Sequence, residues 1–229
     1  MKIQGLQKMT LLDYPGKVAC TVFLSGCDLR CPFCHNSELW DQNAPAVCDS
    51  EELISFLAGR KSLLEGVVFT GGEPQLRPDL PELIAKIKDL GYPVKLDTNG
   101  NHPERLKDLV SRGLIDYVAM DIKNDLARYA VTSGLDTMDT SRVEESVRFL
   151  MGGDLDYEFR TTVVDELHDE ESFENIGRWI EGAKRYFLQP FTDRDTVKYA
   201  GFHAPTPEKL TKFKEIAEKY VKAVSVRGA

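Results

Sequence analysis

The sequence lacks the features that mark membrane, secreted and nucleic-acid-binding proteins. No apolar run in its 229 residues approaches the ~20 needed to span a bilayer. The first residues also lack the apolar core and cleavage site of a signal peptide, so we expect a cytoplasmic protein. Lys and Arg total 29 against 37 Asp and Glu, and the net charge of −8 argues against binding to a phosphate backbone. We therefore expect neither a membrane nor a nucleic acid as a partner.

Cysteine is also scarce, but its placement is informative. The five cysteines are odd in number, whereas a disulfide framework would be even in number and spread along the chain, so we expect reduced thiols. Cys27, Cys31 and Cys34 fall within eight positions, in the spacing C-x3-C-x2-C. Cys20 and Cys48 are isolated, and Cys20 lies inside a strand pattern, where it is expected to pack as a small apolar side chain.

Apolar β-rich runs alternate with amphipathic helical stretches along the chain. Strands are predicted at 18–25, 66–70, 94–100, 115–123, 157–164, 185–191 and 222–228. Helices are predicted at 50–61, 78–91, 103–113, 141–153, 171–184 and 206–220. Six strand–helix units in alternation imply an α/β fold with parallel strands, either a partial barrel or a doubly wound open sheet. Both architectures place function at the carboxyl ends of the strands.

Three thiols in one loop leave open what takes the fourth position around a metal. Structural zinc normally uses four Cys or His ligands in paired clusters, and no second pair follows here. His35 follows Cys34 directly, which makes tetrahedral closure around one ion awkward. A three-thiolate iron–sulfur cluster explains the shortage better, because one iron can be left for another ligand.

The cysteine spacing, with Phe33 before the third cysteine, resembles the signature of the radical S-adenosylmethionine (SAM) enzymes. The stretches DYPGK (13–17) and CPFCHN (31–36) resemble the activating enzymes of glycyl radical enzymes, most closely those of anaerobic ribonucleoside-triphosphate reductase. The resemblance implies a partial (β/α)6 barrel of radical SAM type, with parallel strands and outer helices. It also implies a single domain over 1–229, with a short N-terminal segment at 1–17 and a C-terminal strand at 222–228.

The resemblance further implies the cofactors and the residues that hold them. Cys27, Cys31 and Cys34 would bind a [4Fe-4S] cluster, and SAM would chelate the fourth iron. Reductive cleavage of SAM would then give a 5′-deoxyadenosyl radical, with no catalytic side chain beyond the cofactors. The strand end at Asp97 would meet the SAM ribose or a monovalent cation beside the SAM carboxylate. Asp121 would lie near such a cation, and a cation or a Lys partner is expected there if the carboxylate is buried. The residues implied in cofactor binding are Phe33, His35, Gly72, Glu73, Asp97, Thr98, Asp121, Lys123, Arg160 and Gln189.

The implied partner is a glycyl radical enzyme, with anaerobic ribonucleotide reductase expected. Only residues 41–50 separate the cysteine loop from the next helix, which leaves no room for an inserted ferredoxin-like domain. We therefore expect a single cluster, reduced by an external flavodoxin or ferredoxin. The alternatives are a pyruvate formate-lyase-type activase, a small-molecule radical SAM enzyme such as a deazapurine-forming synthase, and a non-enzymatic metal-binding interaction module.

Overall fold

The computed structural model describes residues 1–228, which form two compact units. Unit 1 comprises residues 1–28, 38–98 and 104–118. Unit 2 comprises residues 29–37, 99–103 and 119–228. The single domain predicted over 1–229 stays a prediction, and each unit is described by itself.

The structure contains the predicted alternation of strands and helices. The strands are Lys2–Ile3 (β1), Gly5–Thr10 (β2), Ala19–Leu24 (β3), Cys48–Asp49 (β4), Gly66–Gly71 (β5), Val94–Thr98 (β6), Tyr117–Asp121 (β7), Asp156–Val163 (β8), Tyr186–Pro190 (β9) and Val224–Val226 (β10). The α-helices are Ser50–Ala58 (α1), Leu80–Asp89 (α2), Pro103–Ser111 (α3), Tyr129–Thr132 (α4), Ser141–Gly152 (α5), Glu170–Trp179 (α6) and Pro207–Ala217 (α7). Each element predicted from residue 18 onward is confirmed, with its ends shifted by up to five residues at a helix terminus.

In unit 1 the strands of the larger sheet lie in the order β6–β5–β3–β2, and β1 pairs antiparallel with β4 in a separate two-stranded sheet. The pairs β3–β5 and β5–β6 are parallel, whereas β2 pairs antiparallel with β3. The central strand β5 is buried from Gly66 to Phe69, as expected for a parallel strand covered on both faces. No strand was predicted in residues 1–17, because residues 7–9 of β2 are exposed and lack the apolar alternation that indicates a strand.

The sheet of unit 2 has the strand order β10–β9–β8, and both pairs are parallel. Helices α6 and α7 pack beside one another, with the rings of Phe173 and Phe213 stacked at 4.5 Å. The short helix α4 was not predicted, since four residues are too few to show a helical period.

No helix within residues 1–228 is both long enough and apolar enough to cross a membrane. The parallel strands and intervening helices confirm the predicted α/β class. In both units the candidate site residues lie in the carboxyl-terminal halves of these strands or directly after them, where parallel α/β folds place their functional sites.

Candidate functional site

The second and third cysteines of the predicted cluster loop lie in a turn of unit 2. The amide of Cys34 donates a hydrogen bond to the carbonyl of Cys31 at 3.0 Å. Cys31 and Phe33 are buried, and Cys34 is half-buried. The turn is held by the amide of Arg30, which donates to the carbonyl of Ser133 at 2.9 Å. Cys27 belongs to unit 1 and is half-buried there.

The positive charge nearest in effect to the Cys31 thiol is the ammonium group of Lys123. Burial raises the pKa of the Cys31 thiol to about 11, although the positive charge of Lys123 opposes that rise. The negative charges of Cys34 and Asp121 reinforce it. Because the thiolate is the form that binds metal, the Lys123 ammonium favours the state that iron binding requires.

The residues after Cys34 are attached to the segment that follows β9. The ring of His35 stacks on Phe191, with centroids 5.5 Å apart and planes 10° from parallel. His35 Nε2 donates to the carbonyl of Thr192 at 2.7 Å, and burial lowers the pKa of His35. The hydroxyl of Ser37 donates to a further carbonyl of the same segment, at 2.6 Å. These contacts position the cysteine turn. His35 contributes to that positioning by stacking on Phe191 and by its hydrogen bond to Thr192.

Asp121, Lys123 and Arg160 form an ion-pair triad in unit 2. Asp121 accepts from Lys123 Nζ at 2.9 Å and from Arg160 Nε at 3.0 Å, with Arg160 Nη2 also at 2.9 Å. Burial alone would raise the pKa of Asp121, but the charges of Arg160 and Lys123 outweigh it and lower that pKa to about 2. Burial would likewise lower the pKa of Lys123, yet the Asp121 charge raises it. All three groups are therefore charged at neutral pH, with a net charge of 2 − 1 = +1.

His168 supports this triad and was not predicted to belong to the site. It is buried, its Nε2 donates to the carbonyl of Lys123 at 2.9 Å, and its Nδ1 accepts from the amide of Val164 at 3.1 Å. Burial lowers the pKa of His168, in agreement with a neutral ring. Asn124 donates to the carbonyl of Leu167 at 2.8 Å beside it. A histidine in a loop has no periodic signal, so only the tertiary structure identifies it.

Glu73 and Thr98 form a buried polar network at the strand ends of unit 1. The side chain of Glu73 is fully buried, and the Thr98 hydroxyl lies 3.1 and 3.0 Å from its two carboxylate oxygens. The backbone amide of Gln75 donates to Glu73 at 3.1 Å, and its side-chain amide donates to Thr98 Oγ1 at 2.6 Å. Gln75 was also missed in the sequence, where it follows the GGEP stretch with no signal of its own.

The two glycines before Glu73 allow close packing against the residues that precede Cys27. Gly71 has a φ of 121°, a conformation that favours glycine. A Cβ placed on Gly72 would lie 2.2 Å from the carbonyl oxygen of Gly26. The amide of Glu73 donates to that same oxygen at 2.7 Å. Gly72 is therefore required by the backbone of the chain itself, in addition to its predicted contact with a cofactor.

Lys95 and Asp97 share one face of β6, as their spacing predicted. Lys95 Nζ forms an ion pair with Asp97 Oδ1, and the two side chains are 1% and 13% exposed. Gln189 lies on β9, half-buried, in register with Thr162 of β8. The structure thus brings together Glu73 with Thr98, and Lys123 with Asp121, Arg160 and Cys31.

Comparison with known protein families identifies the superfamily of this chain. The family model of the Radical SAM superfamily matches residues 21–180, and the chain belongs to that superfamily. It is a radical SAM enzyme, whose cofactors are a [4Fe-4S] cluster and SAM. The family assignment, predicted from the cysteine spacing, is confirmed.

Individual relatives show which members of the superfamily this chain resembles. The chain is 31% identical to a Methanocaldococcus jannaschii protein over 98% of this chain and 95% of that protein, which is named provisionally as a glycyl-radical enzyme activating enzyme. It is 34% identical to the pyruvate formate-lyase-activating enzyme of Clostridium pasteurianum over 54% of this chain and 52% of that enzyme. The crystal structure of a domain of pyruvate-formate lyase-activating enzyme from Bacteroides vulgatus superposes with a TM-score of 0.58 at 20% identity, covering 71% of this chain and 99% of that domain. The fold is therefore the predicted partial barrel of radical SAM type, and the doubly wound alternative is wrong.

The residues present fit both cofactors. The cysteines of residues 1–228 form no disulfide, and thiolates are the donors that iron–sulfur clusters take. In unit 1 the buried Glu73 carboxylate carries a charge opposite to that of an ammonium group. In unit 2 the +1 triad around Asp121 carries a charge opposite to that of a carboxylate. No group of three or more His, Cys, Asp or Glu side chains in the described chain is arranged to hold a single metal ion. In a cluster each cysteine-bound iron takes a single thiolate, so several side chains converging on one ion are not what the cofactor requires.

A monovalent cation, in contrast, does not fit the residues for which it was predicted. The carboxylate of Asp97 is paired with Lys95, and that of Asp121 is paired with Lys123 and Arg160. Both carboxylates already have positively charged side chains as partners.

Proposed function

We propose that this protein is the activating enzyme of a glycyl radical enzyme, with anaerobic ribonucleotide reductase as its partner. The observation that carries the activase function is the similarity, over 98% of the chain, to a protein named provisionally as a glycyl-radical enzyme activating enzyme. The choice of partner rests on the resemblance of residues 13–17 and 31–36 described above. The substrate is then a backbone glycine of the partner, on a segment that can leave the partner's own fold and enter the site.

The side chains of the site have distinct tasks in this proposal. Cys27, Cys31 and Cys34 hold the cluster, and Lys123 stabilises the Cys31 thiolate. Glu73, fixed by Thr98, accepts from the methionine ammonium, while the Asp121 triad attracts the methionine carboxylate. Phe33, His35, Gly72, Asp97, Arg160 and Gln189 stay predicted cofactor contacts. When bound and reduced, the cluster and SAM supply a 5′-deoxyadenosyl radical that abstracts the hydrogen atom.

The first test asks whether the three cysteines hold the cluster. The protein is purified and reconstituted without oxygen, and iron and sulfide are measured together with 5′-deoxyadenosine released after reduction by flavodoxin or dithionite. We expect about four irons per chain, the number that defines a [4Fe-4S] cluster. Cys31→Ala should lose both the iron and the 5′-deoxyadenosine. The matched variant Cys48→Ala, at a half-buried cysteine outside the motif, should keep both.

The second test identifies the partner. Reconstituted protein, reductant and SAM are mixed anaerobically with purified anaerobic ribonucleotide reductase, and electron paramagnetic resonance is recorded. A glycine-centred signal supports the proposal. A signal on pyruvate formate-lyase and none on the reductase would make this a pyruvate formate-lyase-type activase instead, an outcome that the partial similarity to the Clostridium pasteurianum enzyme makes worth testing. No signal on either partner, with 5′-deoxyadenosine released from SAM only when a small-molecule hydrogen-atom donor is present, would overturn the activase function.

Two further expectations accompany the proposal. A flavodoxin or a ferredoxin is proposed as the electron donor, because the short segment between Cys34 and α1 has no second cysteine cluster. The cytoplasmic location stays a prediction of the sequence.

A further inference from the structure

Lys95 carries a buried positive charge that the proposed function does not use. Its side chain is 1% exposed, and its Nζ contacts Oδ1 of Asp97, which is itself 13% exposed. An isolated buried ammonium is costly, because it loses its hydration without compensation. Pairing with the Asp97 carboxylate offsets that cost, so the two charges stabilise each other inside unit 1.

Asp121, the second carboxylate near which a metal cation was predicted, also has positively charged side chains as its partners. Asp121 lies 2.9 Å from Lys123 Nζ and 2.9 Å from Arg160 Nη2. The triad already has one excess positive charge, so a further cation near it would be repelled. The two positions belong to different units, and each independently has a side-chain cation as the partner of its carboxylate.

We propose that Lys95 is the permanent counter-cation of Asp97, and that this enzyme binds no exchangeable monovalent metal ion at either carboxylate. An ammonium group and a potassium ion have the same charge and similar size. A tethered ammonium therefore supplies beside Asp97 the charge that a potassium ion would supply. Because the tether is covalent, that charge is present whatever salt surrounds the protein. Lys95 is thus a positioning residue that holds Asp97.

This inference rests on the proposed function only in placing Asp97 and Asp121 at the SAM site. Its test measures cation and SAM binding, and it needs neither a partner enzyme nor a glycyl radical. Loss of the activase function therefore shows in the resonance experiment, whereas failure of the cation inference shows in the salt dependence of binding.

The native holoenzyme gives the direct test. The reconstituted enzyme is dialysed anaerobically, with SAM, against radioactive rubidium, a potassium substitute. In parallel, the dissociation constant of SAM is measured in potassium, sodium and tetramethylammonium chloride at equal ionic strength, since equal screening leaves only specific ion effects. We expect no stoichiometrically bound rubidium. We also expect SAM dissociation constants that agree within about twofold, a difference of about 0.4 kcal/mol. One rubidium per chain, displaced by potassium and required for SAM affinity, would overturn the proposal.

Variants of Lys95 then test the residue itself. Lys95→Met removes the charge and keeps the length of the side chain. We expect its SAM affinity to fall about tenfold in tetramethylammonium chloride and to recover partly in potassium or ammonium chloride. Lys95→Arg keeps the charge and should stay independent of the salt. Lys88→Met is the matched control, because it removes a more exposed Lys–Asp pair of 2.7 Å in the same unit and should change neither quantity.

The results on Lys95 can also contradict the proposal. A Lys95→Met enzyme that binds SAM normally in every salt would show that Asp97 needs no counter-cation from this lysine. If Lys95→Met does not fold, the native dialysis and the Lys95→Arg variant still decide, since a salt-dependent native enzyme is incompatible with a permanent counter-cation.

Discussion

Replacing Asp121 by Asn removes the negative charge that joins Lys123 and Arg160. The fall in the pKa of Asp121 from its ordinary 3.8 to about 2 corresponds to about 2 kcal/mol of folding free energy at neutral pH. The side chain is 29% exposed, so most of that figure is retained against solvent screening. We expect Asp121→Asn to lower the unfolding free energy of the cluster-free chain by about 2 kcal/mol, or the melting temperature by about 4–8 °C.

The pH dependence of the same variant gives an independent check. Because folding depresses the pKa of Asp121, its stabilisation is complete above its ordinary 3.8 and is lost as the pH falls through about 2. Urea unfolding of native and Asp121→Asn proteins should therefore differ by a constant amount from neutral pH down to about pH 4, and the difference should shrink below that.

A surface aspartate provides the matched control. Asp156 lies 3.5 Å from Arg185, and the two side chains are 60% and 39% exposed. Asp156→Asn should change the unfolding free energy by less than about 0.5 kcal/mol, as exposed ion pairs do. The reasoning is refuted if Asp121→Asn is as neutral as this control, or if its deficit persists unchanged where the carboxyl is protonated.

The remaining predictions concern the network and the backbone around the site. Thr98→Val deprives the buried Glu73 carboxylate of a donor and should cost about 1.5–3 kcal/mol in urea unfolding, with weaker SAM binding. Gly72→Ala, whose Cβ meets a backbone oxygen at 2.2 Å, should cost about 3 kcal/mol, whereas Gly152→Ala, with open space around it, should leave the stability unchanged or higher. Burial lowers the pKa of His168 below its ordinary 6.5, so the unfolded chain binds the proton more readily and stability should fall as the pH drops below that value. His168→Gln should lose that part of the pH dependence, and an unchanged dependence would contradict the assignment.

Local patterns in the sequence determined much of the site. The C-x3-C-x2-C spacing lies within eight residues and needs no tertiary information to be recognised. The pairing of Lys95 with Asp97, and of Asp121 with Lys123, follows from the alternation of side chains along a strand. The order of strands and helices follows from hydrophobic periodicity, which reports the buried face of each element.

Lateral contacts between strands and loops were decided only by the tertiary structure. Arg160 reaches Asp121 across 39 residues of chain, and His168 reaches the Lys123 carbonyl across 45. Such pairs depend on which strands lie side by side and in what register, and no local pattern specifies that. The full burial of Lys95 was equally invisible in the sequence, since alternation indicates a shared face but not its exposure. The local spacing therefore determined which cofactors this protein uses, and the packing of distant segments decided which charges surround them.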